Sequence, residues 1–241
     1  MRKTVTSAAG VVFLVLGAVA MAQSPTVDEL VAKNIQSKGG LEKLRAIQTM
    51  KQTSRVSMQN MNGTMVVYGK RPNLIRQEFS FSGETVLQVF DGTAAWMINP
   101  FAGAKDPLVI TGPQADAIKE QSDFESPFVD YKEKGYRIEL IGTETTAGRR
   151  LHHLKVTSLK QRVQHCYLDA DTGLEARIVS ESPAGLLEQE LSDYRDVDGI
   201  KVPFSIRTLS AGVPMMSITV EKVEINPKID DAIFKTPNKK K

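Results

Sequence analysis

Cysteine is nearly absent: Cys166 is the only one in 241 residues, so no internal disulfide can form. In an oxidising compartment that puts fold stability on core packing. Cys166 sits in the strand-like run Val163–Leu168, just before the turn Asp171-Thr172-Gly173, and reads as a small apolar core residue rather than a nucleophile. Net charge is also scarce. The chain has 31 basic against 28 acidic residues, and removing residues 1–22 takes away Arg2 and Lys3 and no acid, which leaves 29 against 28. That balance excludes a nucleic-acid partner held by bulk charge. There is no G-x-S-x-G, and no Ser or Cys stands beside a placed base, so no enzyme is expected. Metal ligands are few. His152 and His153 are adjacent and point to opposite faces of a strand; only His153 can join His165, and nothing nearby completes a tetrahedral set. Asp169-Ala-Asp171-Thr-Gly173 and Asp196-Val-Asp198-Gly199 lack the ligand spacing and terminal Glu of a calcium loop and read as turns. No metal and no cofactor are expected.

Only one apolar run is conspicuous. Arg2 and Lys3 precede Ala8 to Ala20, and Ala20-Met21-Ala22 fits a small-residue cleavage site before Gln23. This predicts a cleaved secretory signal over residues 1–22. No Cys follows the run, so the site that would attach a lipid is missing, and the mature chain is expected to be soluble in a periplasm-like compartment. The basic tail, residues 238–241, reads as a frayed end.

What is present is mostly strand. Thr26 and Glu29 form a capping box, and Val27, Leu30, Val31 and Ile35 place an apolar stripe on a helix that Gly39-Gly40 ends. Leu41, Leu44 and Ile47 predict a second, short helical turn. Strands are predicted at Thr49–Gln59, Gly63–Lys70, Leu74–Phe81, Glu84–Phe90 and Ala94–Ile98, with Asn62-Gly63, Ser82-Gly83 and Asp91-Gly92 as hairpin chemistry. A helical insert follows over Pro113–Ser122, with a further turn of helix at Phe128–Lys134. Strands resume at Arg137–Glu144, Arg149–Leu159, Val163–Leu168, Leu174–Ser180, Leu187–Tyr194, Ile200–Leu209 and Met215–Ile225. In the last of these, Met216, Ile218 and Val220 share a face, and Val223 and Ile225 continue out of phase. One extra residue near Glu221-Lys222, a β-bulge, accounts for the slip. With no strand-helix-strand repeat, the sheet must be antiparallel.

The stretch from Gly69 to Phe101 carries two motifs in register: Lys70-Arg71-Pro72 at a strand end, then Asp91-Gly92, Trp96 and Asn99-Pro100-Phe101. This pattern resembles the LolA family of periplasmic lipoprotein carriers. Later phrases, such as Tyr194-Arg195-Asp196-Val197-Asp198-Gly199-Ile200 and Phe234-Lys235-Thr236-Pro237, extend the resemblance to residues 23–237. It implies a mainly β fold: a single open antiparallel half-barrel with an N-terminal helix and a short helical lid. It implies carriage of the acyl chains of a lipoprotein, or of another lipid, toward the outer membrane, with an inner-membrane donor and an outer-membrane acceptor as partners. The alternative is a periplasmic sensory or regulatory binding protein of the same fold. The Arg of the K-R-P motif is expected to hydrogen-bond the lid and hold it shut, which assigns that role to Arg71. Candidates for an apolar lining are Ile75, Phe79, Leu87, Val89, Trp96, Ile98, Met216, Ile218 and Val220. The residue after the motif departs from the best-known carriers, with Gln77 in place of an aromatic.

Overall fold

A computed structural model describes residues 24–58, 61–123, 126–182 and 185–236. The expected signal segment and the basic tail lie outside these residues. Helix α1 (Val27–Ser37) starts where the sequence says it should: the Thr26 side chain accepts from the Glu29 amide and Glu29 answers the Thr26 backbone. Helix α2 (Leu41–Ala46) follows across Gly39-Gly40. Gly39 is required there, because it sits at φ +125° and a Cβ would come within 2.3 Å of the Gly199 carbonyl oxygen. That close approach docks the α1–α2 turn onto a hairpin, and the Lys201 amide donates to Lys38 at 3.0 Å beside it.

Among the described residues, thirteen strands form one antiparallel sheet. They are β1 (Thr49–Met58), β2 (Met61–Lys70), β3 (Leu74–Phe81), β4 (Glu84–Phe90), β5 (Ala95–Asn99), β6 (Ala104–Ile110), β7 (Arg137–Thr146), β8 (Arg149–Thr157), β9 (Val163–Asp169), β10 (Glu175–Ser182), β11 (Gly185–Val197), β12 (Ile200–Ser210) and β13 (Val213–Ile225). The order is β6-β5-β4-β3-β2-β1-β13-β12-β11-β10-β9-β8-β7. The first and last strands therefore pair in the middle, and β6 and β7 are the two free edges. The expected bulge is present: Thr53 pairs Lys222 and Ser54 pairs Val220, leaving Glu221 as the extra residue, ion-paired to Arg55 at 2.8 Å.

Two elements differ from expectation. Strand β6 was hidden by Pro107, which removes a ladder donor and is tolerated because β6 is an edge. The segment expected to turn helical at Phe128–Lys134 is a series of tight turns, with Asp130 at φ 52° breaking any helix. The insert itself is helix α3 (Gly112–Ser122). It lies in the connection from β6 to β7, so it must pass from one sheet edge to the other.

Side chains at opposed positions of neighbouring strands point to the same side, so the register divides the sheet into two faces. All three α-helices among the described residues pack on one of them, called the inner face. Leu30 and Val31 of α1 meet Ile138, Leu154, Val156, Cys166 and Leu168 of β7–β9. Leu44 and Ile47 meet Val129 and Ile200. Ile118 of α3 meets Ile75, Phe90, Ala95 and Ile110. The far side of α3 reaches the β8–β9 turn through ion pairs, Asp116 with Lys160 and Glu120 with Arg162. The result is an open half-barrel whose two edges are bridged by a helix.

Candidate functional site

Antiparallel order also sorts the turns into two ends. The β1–β2, β3–β4, β5–β6, β10–β11 and β12–β13 tips share one end. The Arg71-Pro72 turn, Asp91-Gly92, Asp198-Gly199 and the α1–α2 junction share the other.

At the first end the inner face opens into a cavity of about 530 Å³ lined by Met58, Met61, Phe79, Phe81, Val86, Asn99, Phe101 and Met216. Its walls are methionine, phenylalanine and valine from β1, β2, β3, β4 and β13, with Asn99 and Phe101 closing one side. The volume falls within the range of ligand pockets, roughly 300–1,000 Å³. Thioether side chains are unbranched and adapt to irregular apolar shapes. Beneath the cavity, Ile218 packs with Val56, Met65 and Phe81 and seals the floor.

The nine expected lining residues separate into groups. Phe79 and Met216 line the cavity and Ile218 lies under it. Ile75 and Val220 share the inner face but are buried in filled core, against Ile118 and against Phe204 respectively. Leu87, Val89, Trp96 and Ile98 are on the other face. Val89 pairs Arg76 and Trp96, whereas Ile75 pairs Phe90, so the two sets alternate. Their partner there is the segment after the last strand: Phe234 is buried against Val89 and Trp96, with Ile229 and Ile233 beside it. Lys70 donates to the Ile229 carbonyl and pairs with Asp231, and Arg76 donates to the Ile233 carbonyl at 2.8 Å, pinning that segment across the outer face. Trp96 is 1% exposed, and its indole nitrogen has no hydrogen-bond partner among the described residues. The expectation of a single lining thus fails at Leu87, Val89, Trp96 and Ile98, because β4 and β5 are apolar on both sides. Met58, Met61, Phe81, Val86, Asn99 and Phe101 were missed; their signal was the alternation Phe79, Phe81 and the methionines that flank the first hairpin.

Arg71 lies at the opposite end. Its Nε donates to the Ile47 carbonyl at 2.5 Å and its Nη2 to the Leu44 carbonyl at 3.2 Å. These carbonyls belong to the last turn and C-cap of α2, groups that a helix cannot satisfy internally. A guanidinium fork is suited to bridge them. The helix so held covers a smaller cavity of about 150 Å³ lined by Leu44, Ile47, Met50, Val129, Ile200 and Ile225 among others.

Next to α2, a buried polar group seats the end of α1. Lys38 pairs with Glu175 at 3.0 Å, Tyr194 donates to the Glu175 carbonyl oxygen at 2.8 Å, and Asn34 donates to Gly173 at 2.9 Å. Burial disfavours the Glu175 carboxylate, but the Lys38 ammonium and the hydrogen bonds around it outweigh this and hold its pKa below the usual carboxylate range. Burial pushes the Cys166 thiol and the Tyr194 hydroxyl up, so both stay protonated and neither is a nucleophile at neutral pH. On the outer face His153 and His165 share a hydrogen bond at 2.7 Å, and burial and the neighbouring His165 push His153 down. Among the described residues no cluster of three or more potential ligands could hold a metal. No described helix is long and apolar enough to cross a membrane.

No protein-family model matches the chain, and no curated protein matches it. Solved structures do. A LolA superfamily protein from Nitrosomonas europaea matches over 84% of this chain and 97% of its own, with TM-score 0.56 and 15% identity. A DUF1329 family protein from Desulfovibrio piger covers 86% and 95%, with TM-score 0.58 and 15% identity. A putative outer membrane lipoprotein-sorting protein domain from Vibrio parahaemolyticus covers 85% and 97%, with TM-score 0.54 and 11% identity. The fold is therefore LolA-like, an open antiparallel half-barrel with helical elements.

Proposed function

We propose that this protein is a periplasmic carrier that takes up the acyl chains of a lipoprotein, or of another lipid, and releases them toward the outer membrane. The observation that carries the reading is the 530 Å³ cavity, whose walls are almost wholly apolar. A buried methylene is worth roughly 0.8 kcal/mol, so a sixteen-carbon chain offers on the order of 12 kcal/mol before costs. Transfer then needs no catalysis, only opening and a downstream acceptor. Phe79, Met216 and Ile218 are assigned to the acyl site, and Arg71 to holding α2 closed. An inner-membrane donor and an outer-membrane acceptor complete the cycle. The LolA-like fold and the expected signal segment support this reading.

The test is to fill the space. Val86 is half-buried on the inner face and lines the cavity. Val86→Trp should leave the fold intact and weaken binding of a fluorescent fatty acid at least tenfold, which corresponds to about 1.4 kcal/mol. Native mass spectrometry of wild-type protein recovered from its own periplasm should show a bound acyl species. Wild-type affinity in Val86→Trp, together with a ligand-free wild-type spectrum, would discard the carrier reading.

A further inference from the structure

Among the described residues, six of the nine large exposed apolar side chains lie at one end of the sheet; Leu108, Val109 and Ile141, on the edge strands β6 and β7, do not. Met61 (43% exposed), Phe101 (56%), Leu186 (56%), Val213 (63%) and Met215 (40%) all sit at the cavity end of the sheet. They belong to or flank four hairpin tips, β5–β6, β1–β2, β12–β13 and β10–β11; the β3–β4 tip between the first two is polar, Ser82-Gly83-Glu84. Met61 and Phe101 also line the cavity, so the exposed set and the cavity mouth are continuous. Leu159, 73% exposed, extends the set at the next tip, between β8 and β9.

Charge follows the opposite pattern. Residues 56–69, 92–104, 182–187 and 208–220 contain no Asp, Glu, Lys or Arg, although these make up 24% of the chain. The other end is dense in them: Glu144, Arg149 and Arg150 at one turn, Asp169, Asp171 and Glu175 at the next, Arg195, Asp196, Asp198 and Lys201 at a third. At the tips of the cavity end the charged residues are Glu84 at β3–β4, and Lys160 and Arg162 at β8–β9, which are ion-paired to α3. A single apolar residue at a surface needs no explanation; five on four uncharged tips at one end do.

We infer that this rim seats on the surface of a lipid bilayer, with the tips entering the headgroup region and the cavity mouth facing the acyl chains. Two features favour lipid over a protein partner. Protein hot spots are built on Trp, Tyr and Arg, and these five rim positions offer none. Protruding Met, Leu, Val and Phe side chains around an opening, rather than a flat patch, match what enters an apolar interface. Lack of charge means that attraction is apolar, so anionic lipid is not required. The inference rests on the carrier reading only for its purpose: a chain entering the cavity from a seated rim never crosses water.

The experiment uses the secreted, mature chain, since residues 8–20 would themselves bind lipid. Flotation with phosphatidylcholine vesicles should recover wild-type protein with the vesicles equally at low and high salt. Leu186→Asp/Val213→Asp, at two exposed positions that do not line the cavity, should reduce that binding at least tenfold, because two apolar side chains are lost and two carboxylates are asked to enter. Leu186→Ser/Val213→Ser, at positions too exposed to disturb the core, should reduce it in the same direction. Ile141→Asp, equally exposed but on β7 away from the rim, should bind like wild type. Fatty-acid affinity in solution, measured on the same proteins, should be unchanged by the rim variants. Absence of fatty-acid affinity in the wild type would count against the carrier reading and leave the rim result standing. The inference is overturned if wild type does not float, if binding disappears at high salt, or if Ile141→Asp loses as much as the rim variants. It is also overturned if wild type is a dimer that the rim substitutions split without affecting flotation, because the rim would then seat a second copy.

Discussion

Arg71→Leu isolates the contact that fastens α2. Among the described residues, the substitution deletes two hydrogen bonds from a charged donor, one at 2.5 Å to Ile47 and one at 3.2 Å to Leu44. A bond of this kind is typically worth about 1.5–3 kcal/mol. Counting the short one in full and the long one as a fraction gives about 2–3 kcal/mol, or roughly a thirtyfold to 140-fold increase in the open fraction of α2. The helix keeps its apolar seat, since Leu44 and Ile47 remain buried against Val129 and Ile200, so α2 still docks and global stability falls by no more than about the same 2–3 kcal/mol. Native-state hydrogen exchange read on a peptide spanning residues 41–48 is the direct assay. The expected result is faster exchange there by that factor, with β8 and β9 changed by no more than the loss in global stability, and faster delivery of a fluorescent fatty acid to acceptor vesicles from equally loaded protein. Arg71→Lys should fall between, because a single ammonium cannot bridge both carbonyls as a fork does. Wild-type exchange over α2 in Arg71→Leu would refute the reasoning, and wild-type delivery alongside faster exchange would separate the latch from transfer.

Two further outcomes follow from burial. Glu175→Gln leaves the Lys38 ammonium, 20% exposed, without its counter-charge and should cost about 3 kcal/mol in urea unfolding, the low end for breaking a buried pair. Because the folded pKa of Glu175 is depressed, the stability that it contributes is full above its ordinary 4.5 and is lost as pH falls through the folded value. The acid limb of the stability profile should be shallower in Glu175→Gln, and an identical limb would place the acid sensitivity elsewhere. Phe234→Ala should lower stability by about 3 kcal/mol and the Tm by roughly 6–12 °C, with red-shifted Trp96 emission as the outer face is uncovered. In wild type the same emission should not respond to acyl ligand, because Trp96 lies across the sheet from the cavity; a ligand-dependent shift would contradict that placement.

Local signals in the sequence were read where turn chemistry fixed them. The bounds of β3 and β4 coincide with expectation because Ser82-Gly83 and Asp91-Gly92 leave no freedom in register. The slip of phase between Val220 and Val223 located the bulge for the same reason: a period of two cannot change sides without an extra residue. The choice of face was not legible in β4 and β5. Leu87 and Val89 alternate with Val86 and Phe90, all apolar, so periodicity has no contrast to report. The missing information lay in Ile229, Ile233 and Phe234, too short and too irregular a run to read as an element, yet apolar enough to cover Trp96. Which inner-face residues border empty space was equally hidden, since Phe79 beside the cavity and Ile75 in packed core obey one pattern.

The pairing of the first strand with the last has a consequence for how the chain is made. Every other pairing joins strands adjacent in sequence, so each half can zip up hairpin by hairpin as it emerges. The β1–β13 seam alone must wait for residue 213 and beyond. Until then β1 is an open edge ten residues long, the kind of template on which other chains add strands. Lys51 and Arg55, on the outer side of that strand, put positive charge along it during the interval. Positive charge on such an edge opposes pairing with other copies at the one place where topology leaves the sheet unfinished.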